Sequence, residues 1–250
     1  MWMPQRSLEP EAMDSDDMPE GDRATFHRDL ARVHRILGDL KPVLARIQRL
    51  PRPVGTVMDI GCGDGAALKQ IRDATGAEVI GIDLRPPGKD VYGVPILRCD
   101  ATCDELPRAD VAISLLTLHH LTEDEVVRMI RNLARSCRRF IGVDLVRHPL
   151  PFALFSTFIA PLIHKIAADD GRQSIRRAFK PDELARLVRS ALNGSGARFE
   201  QEVSRYYAKQ VIDIEFTVPD DTSGRCVPFA ARDRNRPPAD DPLYTGAPDR

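Results

Sequence analysis

The chain has 250 residues, 42% hydrophobic and 29% charged, with a formal net charge of −1. Those values describe a globular chain with one sizeable core plus appendages. They argue against a nucleic-acid partner, because phosphate binding requires a concentrated basic surface.

Residues 1–21 lack the basic, apolar, small-residue order of a signal peptide and are acidic, with Asp14, Asp16 and Asp17 close together. They are expected to be disordered. From residue 22 to residue 50, Leu30, Val33, Ile36, Leu37, Leu40, Val43, Leu44 and Ile47 recur at helical spacing. This is an amphipathic N-terminal helix, kinked or split at Pro42 and ended at Pro51.

The stretch Val57-Met58-Asp59-Ile60-Gly61-Cys62-Gly63-Asp64-Gly65 carries the most information in the chain. An apolar strand meets an acid and then three glycines at alternate positions, and a helical pattern opens at Ala66. Glycine serves where the backbone takes positive φ or where a ligand comes closer than a Cβ allows. Such a turn between strand and helix is where open α/β sheets bind nucleotide-like ligands.

Three further apolar runs follow. One spans Ala77 to Ile82 and ends in Asp83-Leu84; another spans Val94 to Cys99 and ends in Asp100-Ala101; the third spans Asp110 to Leu116 and leads to His119-His120. In a parallel sheet the C-terminal strand ends share one rim, which places Asp59, Asp83, Asp100 and the histidine pair along one crevice. Thr122 with Glu125 three residues on opens a capped helix that runs to about Ser136. Arg139 to Leu145 reads as the fifth strand. Residues 146–180 are an insertion, and Pro181-Asp182-Glu183 starts a helix that ends at Asn193-Gly194. Two late strands, about 197–203 and 207–216, close the pattern. Residues 217–250 are rich in Pro, Asp, Arg and Gly and are expected to be disordered.

Asp59 to Gly65, then Asp83, then Asp100 resemble the class I S-adenosylmethionine-dependent methyltransferases, closely over residues 54–145 and more loosely to about 216. The resemblance implies a Rossmann-like seven-stranded sheet of order 3-2-1-4-5-7-6, its last strand antiparallel, with helices on both faces. It implies S-adenosyl-L-methionine as cofactor. Asp59, Gly61, Cys62, Gly63 and Gly65 would form the turn beneath it, with Asp83 at the ribose, Asp100 at the adenine, and Leu84 and Ala101 also against the cofactor. It also implies that 146–180 is a lid over the acceptor. Phe152, Phe155 and Phe158 there suit a planar substrate or ordinary packing, and the second half, 169–179, reads as polar loop.

Methyl transfer requires an oriented acceptor, exclusion of water and usually removal of a proton. A histidine titrates near ~6.5 and suits that last task. His119 and His120 are the candidates, with Asp144 at the end of the neighbouring fifth strand as orienting carboxylate. Successive residues cannot both point into the site, and His119 is the preferred base; His148 is a further candidate. No N-P-P-Y or D-P-P-Y run is present, which favours an oxygen acceptor. The expected activity is O-methylation of a phenolic or quinol small molecule. The alternatives are a non-catalytic cofactor-binding protein and an NADP oxidoreductase in which Arg85 holds the 2′-phosphate.

The five cysteines, Cys62, Cys99, Cys103, Cys137 and Cys226, include no C-x-x-C pair. No metal site is expected, and reduced thiols fit a cytoplasmic protein; a monomer or homodimer is expected. The one long apolar run, Leu150 to Ile163, is shorter than the ~20 residues of a membrane span and is broken by Pro151 and Pro161.

Overall fold

The structure, a computed structural model, describes residues 3, 5–12, 39–87, 91–194, 198–203 and 208–216. The expected tail 217–250, residues 13–21 and the first part of the N-terminal helix, 22–38, lie outside the described residues.

Seven strands form one sheet: β1 (Thr56–Ile60), β2 (Glu78–Asp83), β3 (Ile96–Arg98), β4 (Ala109–Leu115), β5 (Cys137–Leu145), β6 (Arg198–Val203) and β7 (Lys209–Glu215). Their order is β3-β2-β1-β4-β5-β7-β6. The first five pair in parallel, and β7 runs antiparallel to both β5 and β6. This is the order expected from the sequence.

The inner strands are buried on both faces, which is why they read as apolar runs without alternation. One face of the sheet carries Met58, Ile60, Ile82, Ala112 and Phe140 against α3 (Glu123–Ser136) and α6 (Pro181–Leu192). The other carries Val57, Val79, Val111, Ile141 and Val143 against α1 (Lys41–Gln48) and α2 (Ala66–Thr75). Proline at the start of α1 sits where its missing N–H costs nothing, so Pro42 opens a helix there. The Thr122 capping box forms as expected. The Glu125 N–H donates to Thr122 Oγ1 at 3.3 Å, and Glu125 Oε2 accepts the Thr122 N–H at 2.7 Å.

Between β5 and α6 the insertion is helical nearly throughout: α4 (Pro149–Leu154), a π turn (Phe155–Ile159), a 3₁₀ turn (Ala160–Leu162) and α5 (Lys165–Arg177). The loop expected over 169–179 is therefore corrected to helix up to Arg177. Its pattern was invisible because the buried face of α5 includes Asp170, Gln173 and Arg177 beside Ala167, Ala168 and Ile175. Gly171 lets Phe155 close onto this helix, since an added Cβ would stand 2.2 Å from the ring. Phe155 is buried in a small cluster with Ala160, Ala168 and Ile175, Phe152 packs against that cluster under the Arg176 guanidinium, and Phe158 stands apart, exposed.

Candidate active site

Residues at the C-terminal ends of β1, β2, β4 and β5, with the loop after β3, build the rim. After β1 the chain turns through Gly61, Gly63 and Gly65 at φ of +72°, +55° and +81°. The Gly61 N–H donates to the Ile82 carbonyl at 2.8 Å. A Cβ on Gly61 would lie 2.5 Å from the Thr117 side chain, so this glycine lets the β1 and β4 loops close on each other. Gly63 differs: among the described residues, its chain neighbours aside, no heavy atom lies within 4 Å of where its Cβ would be. The turn therefore presents bare backbone to an open crevice, with α2 starting directly behind it.

Asp83 reaches into the same crevice from β2. Its Oδ2 accepts the Gly63 N–H and its Oδ1 accepts the Arg85 N–H, both at 2.8 Å. Leu84 beside it is 57% exposed. Asp100 follows β3 and accepts the Thr102 N–H at 2.8 Å; Ala101 is buried. Asp59 is buried at the base of the turn, and its Oδ1 has no hydrogen-bond partner among the described residues. Burial, then the Asp83 charge, holds its carboxyl well above the usual carboxylate range. The Cys62 thiol points away from the crevice into the sheet against Gly81, and burial pushes its pKa up. Only the backbone of Cys62 faces the turn's ligand side.

Beyond β4 the chain is strained. Leu116 takes φ +55°, a left-handed conformation costing a side-chain-bearing residue roughly 1–2 kcal/mol. The Leu116 N–H bonded to the Val143 carbonyl at 2.8 Å helps to hold it. Next comes a 3₁₀ turn, Leu118–His120. Asp144 from β5 grips this turn: Oδ2 accepts the His119 N–H at 2.8 Å and Oδ1 lies 2.6 Å from His119 Nδ1. His148 stands apart, exposed, and caps α4 by accepting the Leu150 N–H.

Residues 5–12, expected to be disordered, instead lie along α5 and cover His119. The Ser7 N–H donates to the Arg176 carbonyl, Gln173 donates to Ser7 Oγ and the Glu9 carbonyl, and the Ala12 N–H donates to Asp170 Oδ1. The Arg6 guanidinium donates to the carbonyls of His119, Leu121 and Arg177 and stacks on the Phe179 ring. Burial, and then Arg177, lower its pKa to about 10. Glu11, only 3% exposed, turns inward. Its Oε2 accepts from Ser174 Oγ at 2.7 Å, and its Oε1 lies 3.8 Å from both His119 Nε2 and Arg177 Nε. Burial raises the Glu11 pKa to about 7, against smaller lowering by His120, Ser174 and Arg177.

Both histidines approach this carboxylate, which corrects the expectation that only one of two successive residues could point inward. A 3₁₀ turn rotates about 120° per residue rather than the 180° of a strand, and the rings lie 4.3 Å apart at a 36° tilt. Sequence reasoning missed Glu11, Arg6, Ser174 and Arg177. An irregular segment has no periodicity, and polar residues on the buried side of α5 mimic a solvated helix.

A sequence model of the methyltransferase domain family matches residues 57–140, the stretch from β1 into β5 that builds this rim. This segment belongs to the methyltransferase domain family. Around it the chain has the fold of solved methyltransferase structures. The plantazolicin methyltransferase BpumL in complex with SAH superposes with a TM-score of 0.62 at 13% identity, covering 81% of this chain and 92% of that one. Human N-acetylserotonin methyltransferase in complex with SAM gives 0.56 at 18% identity, covering 80% and 57%. The methyltransferase domain of bacterial CtHen1 gives 0.52 at 15%, covering 71% and 97%. No curated protein matches the chain in sequence. Among the described residues no helix is long and apolar enough to cross a membrane.

Proposed function

We propose that the chain is an S-adenosyl-L-methionine-dependent methyltransferase whose acceptor is a small molecule, methylated on a hydroxyl oxygen of phenolic or quinol type. One observation carries the cofactor: bare backbone at Gly63 opens onto a crevice flanked by Asp59, Asp83 and Asp100 at successive strand ends. BpumL and human N-acetylserotonin methyltransferase, which share this fold, hold SAH and SAM in their structures.

The residues present fit that group. Gly61, Gly63 and Gly65 leave room for it, and Cys62 contributes backbone. Asp59 Oδ1 offers a buried acceptor to an N–H-bearing end of the ligand. Asp83 accepts from vicinal hydroxyls, Asp100 accepts from a base amino group with Ala101 beneath it, and exposed Leu84 gives the base an apolar face. When bound, the cofactor supplies an electrophilic methyl on a sulfonium.

The chain's own work is to orient the acceptor and take its proton. Asp144 fixes the His119 proton on Nδ1 and supports an imidazolium, which leaves Nε2 as the proton acceptor. His120 packs against that ring. The N-terminal segment and α5 exclude water from it. The reading is tested by calorimetric titration with S-adenosylhomocysteine, followed by a screen of phenols and quinols with labelled cofactor. Tight NADPH binding without a response to S-adenosylhomocysteine would falsify it.

A further inference from the structure

We propose that Glu11, His119 and His120 bind one divalent transition-metal ion, of the kind favoured by imidazole and carboxylate together. Each residue offers one ligand atom, and the three atoms lie within 4.8 Å of one another, with Glu11 and His119 buried and His120 half-buried. A tetrahedral ion with bonds near ~2.0 Å needs ligand atoms about 3.3 Å apart. The His119 Nε2 to Glu11 Oε1 separation of 3.8 Å is already close to that spacing. Glu11 lies on an irregular segment outside helix and sheet, and its side chain can swing through the remaining gap toward His120.

The groups behind these ligands are arranged as they are around metal sites. A ligating imidazole commonly donates its second ring N–H to a carboxylate, which fixes the tautomer and turns the other nitrogen's lone pair to the ion. Asp144 Oδ1 stands 2.6 Å from His119 Nδ1 and Asp144 Oδ2 holds the same residue's backbone. A ligating carboxylate is in turn hydrogen-bonded on its other oxygen, and Ser174 Oγ donates to Glu11 Oε2 at 2.7 Å. Two guanidiniums stand near these ligands, Arg177 by Glu11 Oε1 and Arg6 by the His119 carbonyl, but their N–H groups donate to the carbonyls of Glu9, His119, His120 and Leu121. Three carboxylates, Glu11, Asp144 and Asp170, outweigh them, which leaves the surroundings compatible with a dication.

Two imidazoles and one carboxylate select zinc-like ions over magnesium or calcium, which prefer oxygen. Three protein ligands leave a fourth position for an outside oxygen. The ion would take the Nε2 that otherwise serves as proton acceptor. In the loaded protein, acidification of a bound acceptor hydroxyl passes from the imidazole to the ion. The metal site stands on its own geometry; only this last consequence rests on the methyltransferase reading.

The experiment uses the untagged 250-residue chain, stripped with EDTA. Calorimetry with ZnCl₂ should show one equivalent bound, at least ~100-fold more tightly than Mg²⁺. CoCl₂ should give the visible bands of a four-coordinate nitrogen and oxygen site without a thiolate charge-transfer band. Glu11→Gln and His120→Ala should each weaken Zn²⁺ by tenfold or more. Asp144→Asn should weaken it by about 10–100-fold. S-adenosylhomocysteine binding retained by each variant shows that it has folded. The proposal is overturned by no saturable Zn²⁺ binding, or by equal affinity in Glu11→Gln, His120→Ala and wild type. A thiolate band also overturns it, because it moves the ion to cysteine. Failure of wild type to bind S-adenosylhomocysteine overturns the methyltransferase reading instead and leaves the metal result standing.

Discussion

Asp144 holds His119 at two points, Oδ2 on the backbone N–H at 2.8 Å and Oδ1 at ring Nδ1 at 2.6 Å. The carboxylate is 1% exposed and the imidazole 3%. A buried carboxylate bonded to both main chain and ring fixes position and tautomer together, so the ring cannot flip without losing a charge-assisted bond. The backbone strain at Leu116 sits just ahead of this clasp and helps to deliver His119 to it.

If this pair moves the acceptor's proton, His119→Ala should lower turnover of metal-free enzyme by roughly 10²–10⁴ with S-adenosylhomocysteine affinity nearly unchanged. Asp144→Asn should damage the same step, because it removes the charge supporting the imidazolium. The pH–rate profile checks this. The ascending limb of wild type should disappear in His119→Ala, and an intact limb with comparable turnover would sink the base assignment.

Asp83 should be the strongest single contributor to cofactor affinity. Its carboxylate would exchange the Gly63 and Arg85 N–H groups for, or share them with, ligand hydroxyls. Asp83→Ala is expected to cost on the order of 2–3 kcal/mol in S-adenosylhomocysteine binding by calorimetry. A loss below threefold would place the ribose elsewhere.

The glycines of the turn should separate fold from binding. Gly61→Ala forces a Cβ against Thr117 at φ +72° and should lower stability by roughly 1–3 kcal/mol, read in thermal unfolding. Gly63→Ala adds about 1 kcal/mol of left-handed strain but meets no side chain or backbone of another described element. Its main effect should be on S-adenosylhomocysteine, weakened more than tenfold. Parallel losses in both variants would show that the two positions do not have separate roles.

Docking of the N-terminal segment should depend on pH through Glu11. Burial raises its pKa from 4.5 to about 7. The folded state therefore holds this proton more tightly than the free chain. Docking is favoured most at and below pH ~4.5 and weakens as pH rises, levelling off above about 7. The full effect is on the order of 3 kcal/mol. Hydrogen exchange of residues 5–12 in metal-free protein, corrected for intrinsic rates, should be faster at pH 8 than at pH 5.5. Glu11→Gln should remove that difference; an unchanged pH response in the variant would assign the effect to another group.

What the sequence determined by itself was the cofactor-side architecture. Runs such as Val57–Ile60 and Val111–Leu115 are buried on both faces of a parallel sheet, and the acids and glycines at their ends follow in chain order. Their meaning is local, because a strand end and the turn after it are neighbours in sequence as well as in space. The capping box at Thr122 and the helix opened by Pro181 were legible for the same reason. The proposed acceptor side was decided only by the tertiary structure. Glu11, His119, Asp144 and Ser174 come from four separate stretches, and no periodicity links them. An acidic N-terminal segment and a helix with Asp170, Gln173 and Arg177 on its buried face both look solvated in sequence. Only their docking, where each polar group finds a partner in the other, shows that they close over one histidine.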